Sequence, residues 1–120
     1  MVNSQFFYIL FPGASGHLKS AKAFLFSIKN KDNIQPFKSL VYQDQDQNAI
    51  YSSNSYGPTF GGGHDLHISD SANSNTNSYT NFGNTYQPPS GYNYGDANTR
   101  ALLAGNYHFR PSDVEVFYFE

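Results

Sequence analysis

His64 and His67 stand three positions apart, with His17 and His108 distant in sequence. Imidazoles at that interval share one side of a helix and can grip a metal there, but on a strand they point to opposite faces. The surrounding run His64-Asp65-Leu66-His67-Ile68 alternates polar and apolar residues as a half-buried strand does, with Leu66 and Ile68 on one face. Zinc is therefore not expected, and the histidines read as structural. Asp44-Gln45-Asp46-Gln47-Asn48 imitates the opening of a calcium loop, but Ala49 stands where the turn requires glycine and Ser55 where a bidentate Glu is required. A polar hairpin turn accounts for it.

Gly61-Gly62-Gly63 lacks the Lys-Ser or Lys-Thr of a phosphate loop, and a strand follows it, so no helix N-terminus is offered to a phosphate. Ser, His and Asp are all available for nucleophilic catalysis, yet no Gly-x-Ser-x-Gly elbow occurs. The absence of cysteine excludes disulfides, thiolate chemistry and Cys-ligated zinc. No cofactor is expected.

The length of 120 residues allows one domain. Its apolar content is aromatic in kind, with eleven Phe and ten Tyr against one Met and no Trp, which favours pleated surfaces and a mainly β fold. Seven basic residues against nine acidic ones cannot easily assemble the basic face that phosphate contacts need, so no nucleic-acid partner is expected. None of the thirteen Asn is followed two positions later by Ser or Thr, so there is no N-glycosylation acceptor. Together with the missing cysteines this suits an intracellular, cytoplasmic protein. The apolar run Phe6 to Phe11 is too short to span a bilayer and reads as a strand, so no membrane insertion is expected.

The elements follow from the pattern. Pro12 to Gly16 marks a loop, then Phe24, Phe26 and Ile28 share one face of a strand. In the next strand Phe37, Ser39 and Val41 face away from Lys38, Leu40 and Tyr42, and Ala49-Ile50-Tyr51 forms another. Gly57 before Pro58 predicts a turn, the glycines a hinge, and the His64 segment a strand. Residues 69–95, rich in Asn, Ser, Thr, Tyr and Gly, read mostly as a long surface loop, with Tyr79, Phe82 and Tyr86 spaced to lie back on a sheet. Asp96 and Gly105 bracket a short helix as cap and stop. After the Arg110 to Asp113 connection, a last strand carries Val114, Val116 and Tyr118 on one face, and Glu115, Phe117 and Phe119 on the other. A carboxylate among such rings sits at a sheet edge or is partnered by a neighbouring Lys or Arg.

Taken as a set, Phe24-Leu25-Phe26-Ser27-Ile28-Lys29-Asn30, Ala49-Ile50-Tyr51, Gly57-Pro58-Thr59-Phe60 running through the three glycines to Ile68, Leu103-Ala104-Gly105 and Val114-Glu115-Val116 resemble the TLDc domain in order and spacing. The resemblance covers residues 13–120, with 1–12 a divergent N-terminal segment, and leads to the expectation of a partial copy of the domain. It implies a two-layer antiparallel β-sandwich with one or two short helices. It also implies a noncatalytic protein-interaction role, linked to oxidative-stress protection and to binding the vacuolar proton pump (V-ATPase). Partner contact is implied at Gly61, Gly62, Gly63, His64 and Asp65. Phe24, Phe26, Pro58, Phe60, Leu66, Ile68 and Glu115 are expected to be structural. Two other readings stay open: a glycan- or small-ligand-binding sandwich using Tyr79, Tyr86, Tyr92 and Tyr94, and a histidine-dependent antioxidant enzyme.

Overall fold

The computed structural model describes residues 6–7 and 16–114. Of the expected last strand, Val114 is irregular and exposed, and the rest, from Glu115 on, lies outside the described residues. The strands are β1 (Phe6–Phe7), β2 (Gly16–Leu18), β3 (Phe24–Ser27), β4 (Phe37–Leu40), β5 (Ile50–Ser52), β6 (Tyr56–Phe60), β7 (Leu66–Ser69), β8 (Ser78–Tyr79) and β9 (His108–Phe109). One α-helix, α1 (Ala97–Leu102), and two 3-10 turns, Asp46–Asn48 and Ala72–Ser74, join them. All pairings are antiparallel, in one sheet ordered β1-β3-β4 and a second ordered β2-β5-β6-β7-β8-β9. The result is the mainly β fold that the aromatic-rich sequence favoured and the two-layer antiparallel sandwich that the resemblance implied.

Register decides which side chains meet. Leu18 pairs with Ile50, Ile50 with Phe60 and Phe60 with Leu66, so one row of the larger sheet is apolar and turned inward. Ile50, Phe60 and Leu66 are wholly buried, and burial of each contributes about 2 kcal/mol. Phe82, Tyr86, Leu102 and Leu103 fill the space between the layers, with Phe37 stacked on Phe82 at 6.2 Å.

In the smaller sheet Leu25 and Ser27 face the core, opposite Ser39 and Phe37. Phe24 and Phe26 are half-buried on the outer face, where the Lys38 ammonium lies 4.2 Å above the Phe24 ring. They thus lie on the sheet surface rather than in the core, because strand alternation turns Leu25 and Ser27 inward instead. Ile28, Leu40 and Tyr42 share that outer face and are exposed.

Local detail departs from expectation in two places. Gly57 and Pro58 lie within β6 rather than in a turn, at a register irregularity between Tyr56 and Thr59. A bulge removes proline from the ladder it cannot donate to, and a Cβ at Gly57 would come within 2.6 Å of Ile68 O. Residues 69–95 are mostly irregular, as expected, but Ser78, Thr80, Phe82, Thr85 and Tyr86 within them are fully buried, and Tyr86 bridges to Val41. The helix is as expected at both ends. Asp96 holds the cap position in extended geometry without a side-chain cap bond, and Gly105, at φ 92°, donates its N–H to Ala101 O at 2.8 Å.

Candidate functional site: a tyrosine and histidine face

The other side of the larger sheet is unlike its core side. Register pairs His17 with Tyr51, Tyr51 with Thr59, Thr59 with His67, His67 with Tyr79 and Tyr79 with His108. One continuous row therefore crosses the whole sheet from edge to edge, about 24 Å at the usual strand spacing. Tyr56, His64 and Tyr107 flank it, so all four histidines of the chain belong to one surface. Ring centroids follow one another at 4.9 Å for His17 and Tyr51, 5.0 Å for Tyr51 and His64, 5.7 Å for His64 and His67, 5.0 Å for His67 and Tyr79, and 5.9 Å for Tyr79 and His108. Edge-to-face and offset contacts of this kind add modest stability and hold the rings in place.

His64 and His67 do not point to opposite faces as a strand through both would require. The strand begins at Leu66, while residues 61–65 turn, and His64 takes a left-handed φ of 57° that brings its ring over that of His67. This conformation is uncommon for a residue with a Cβ and costs on the order of 1 kcal/mol. The turn is fixed by His64 N–H to Gly61 O at 3.1 Å, by Asn81 N–H to Asp65 O at 3.1 Å, and by a 2.8 Å bond between His64 Nδ1 and the Tyr79 hydroxyl.

The glycines serve close approach. At Gly61, φ is 93° and a Cβ would overlap the Asp65 carboxylate. At Gly63 a Cβ would lie 2.5 Å from Asn84 Nδ2, and at Gly62 3.2 Å from Asn48 Cβ. Gly62 N–H donates to Thr85 Oγ1 at 2.8 Å. Asp65 is fully buried. Its carboxylate accepts main-chain N–H bonds from Gly83, Thr85 and Tyr86 at 2.9 to 3.1 Å, tying the 83–86 turn beneath the glycines. Burial pushes this carboxyl up to about 6, against the pull of those amides. Of the segment expected to meet a partner, His64 thus reaches the ring face, Gly62 and Gly63 are half-exposed, and Asp65 holds the turn from inside.

The electrostatics of the face come from burial and from imidazole neighbours. His67 is pushed down to about 4 by burial first and by His64 second, and His64 is lowered by burial and then by His17. The Thr59 hydroxyl donates to Gly57 O at 3.0 Å, so its 2.8 Å bond to His67 is accepted from Nδ1–H, leaving Nε2 as the acceptor. Tyr79 is raised by burial and by Tyr107 and Tyr56. At the β9 end the Arg100 guanidinium lies 5.2 Å from the Tyr107 ring centroid. Among the described residues the ion pairs are Lys19–Asp46 and Lys31–Asp32, so Arg100 has no carboxylate partner there. No group of three His, Asp or Glu among the described residues could hold a metal ion.

The four tyrosines considered for sugar recognition do not gather. Tyr79 is on the face, Tyr86 is buried with its hydroxyl donating to Ala49 O at 2.6 Å, and Tyr92 donates to Asp32. Sequence reasoning missed the row itself, although its signal is local: Gly-His-Leu, Ile-Tyr-Ser, Leu-His-Ile, Ser-Tyr-Thr and Tyr-His-Phe each place a ring at an outward position. Only the pairing register shows that these rings line up.

Fold and face together define a small antiparallel β-sandwich domain with one ring-lined outer sheet. The family model for the TLDc domain matches residues 13–120, and the chain belongs to that family. No curated protein and no solved structure matches it. Among the described residues no helix is long and apolar enough to cross a membrane.

Proposed function

We propose that this chain is a noncatalytic protein-interaction module of the TLDc type that docks a partner on its tyrosine and histidine face. The observation that carries this is His64. The backbone adopts a costly left-handed geometry and three glycines give up their side chains, and the outcome is one further ring set into a flat, half-exposed surface. Rigid rings that bury much area at low entropic cost suit protein contact. The carboxyl whose environment is most perturbed, Asp65, is committed to main-chain amides below the face, a structural duty. Membership of the family supports a partner-binding role. The links to the V-ATPase and to oxidative-stress protection implied by the resemblance make pump subunits, met inside the cell, the first partners to try.

A pull-down with purified V-ATPase subunits, set beside a glycan array, tests this. Retention of a subunit by the wild type, lost in Tyr56→Ala with Tyr107→Ser, is the expected result. A glycan signal without any subunit retained would favour the sugar-binding reading. Both substituted tyrosines are exposed, 42% and 36%, so the fold should survive.

A further inference from the structure

Resting on that docking reading, and adding the partner's chemistry to it, we infer that the face takes an extended segment of a partner protein with an apolar or aromatic middle and a carboxylate near each end. Charge complementarity carries the inference. The middle of the row, Tyr51, Thr59, His67 and Tyr79, is half to fully buried, and His67 and the flanking His64 are held toward their neutral forms. It offers rings and a few hydrogen-bonding atoms, which suit apolar and aromatic side chains. The two ends differ: His17 on β2 and His108 on β9 are exposed.

The groups around each end are cationic, aromatic or already paired. His17 meets Tyr51 and, through space, His64, while Lys19 two positions on is 3.6 Å from Asp46. His108 meets Tyr79 and Tyr107, next to Arg100, while Arg110 donates to Asn73 O at 2.6 Å. Among the described residues, the ring contacts and ring hydrogen bonds of His64 and His67 are with the tyrosines of the face, Thr59 and each other. Asp65, next to His64 in the chain, points inward to the amides of the 83–86 turn. No described carboxylate enters the hydrogen bonds or ring contacts of the row, and Asp46, at the β2 end, is paired with Lys19. The span of about 24 Å corresponds to roughly seven extended residues, which sets the spacing of the two carboxylates.

Panning a phage-displayed library of random octapeptides on the folded chain at pH 6 tests this. Selected peptides are then made with a fluorescent label and measured by anisotropy against the wild type, Tyr56→Ala with Tyr107→Ser, and His17→Gln with His108→Gln. The expected peptides carry acidic residues toward both ends and lose affinity when the tyrosines are removed. They should bind the wild type about fivefold tighter than they bind the double histidine variant. Neutral or basic peptides that still depend on Tyr56 and Tyr107 would overturn the acidic chemistry while leaving the docking face intact. Peptides indifferent to the tyrosine variant, or no peptides at all, would overturn the docking reading together with this inference.

Discussion

Asp65 Oδ2 accepts the main-chain N–H of Tyr86 at 3.0 Å, and through that bond the glycine turn and the polar 83–86 turn become one structure. Asp65→Asn keeps the shape but turns an amide group toward donors, leaving buried N–H groups unsatisfied. A loss of about 2 to 3 kcal/mol is expected, read as a lower urea midpoint; a change within error would show that the 83–86 turn does not need this carboxylate.

Two buried groups give the chain opposing pH dependences. Asp65 is raised from 3.8 to about 6, so between those values the folded chain holds a proton that the unfolded chain has released. Its contribution to stability falls as pH rises across that window, by about 3 kcal/mol at most. His67 is lowered from 6.5 to about 4, so its contribution is lost as pH falls through the same range. The wild type should therefore show little change in stability between pH 4.5 and 6, while His67→Gln should become less stable as pH rises. Urea midpoints at pH 4.5, 5.5 and 6.5 measure both, and a His67→Gln profile that rises with pH would refute the assignment to Asp65.

Among the glycines, Gly61→Ala should cost the most, since it combines a left-handed φ with overlap at Asp65. Gly62→Ala has no positive φ and meets Asn48 Cβ at 3.2 Å, so its loss should be smaller, under about 1 kcal/mol. Thermal melts rank the two, and a reversed order would mean that the turn is not shaped as described.

Tyr86→Phe removes the hydroxyl that donates to Ala49 O at 2.6 Å and leaves the ring in the core. A loss of about 1 to 2 kcal/mol is expected, with no change in partner binding. Equal stability of the two proteins would mean that the hydroxyl contributes nothing there.

Strand periodicity made much of the sandwich legible: Leu66 and Ile68 are both core, Phe37, Ser39 and Val41 do face inward, and the helix sits between Asp96 and Gly105. Within residues 69–95 composition did not show that Thr80 and Thr85 are buried, because their burial, like that of Tyr86, depends on partners far away in sequence. The face was hidden for a related reason. Its central row takes one ring or hydroxyl from each of six strands, so only the sheet register makes a surface of them.

Hydroxyl-radical footprinting of the chain, alone and with the V-ATPase subunit it retains, tests the docking face most directly. Labelling is expected to fall at Tyr51, Tyr56, His64 and Tyr107 and to stay unchanged at Tyr42 and Leu40 on the opposite sheet. Protection at Tyr42 and Leu40 with the ring face still labelled, or no retained subunit and no change anywhere, would contradict the account.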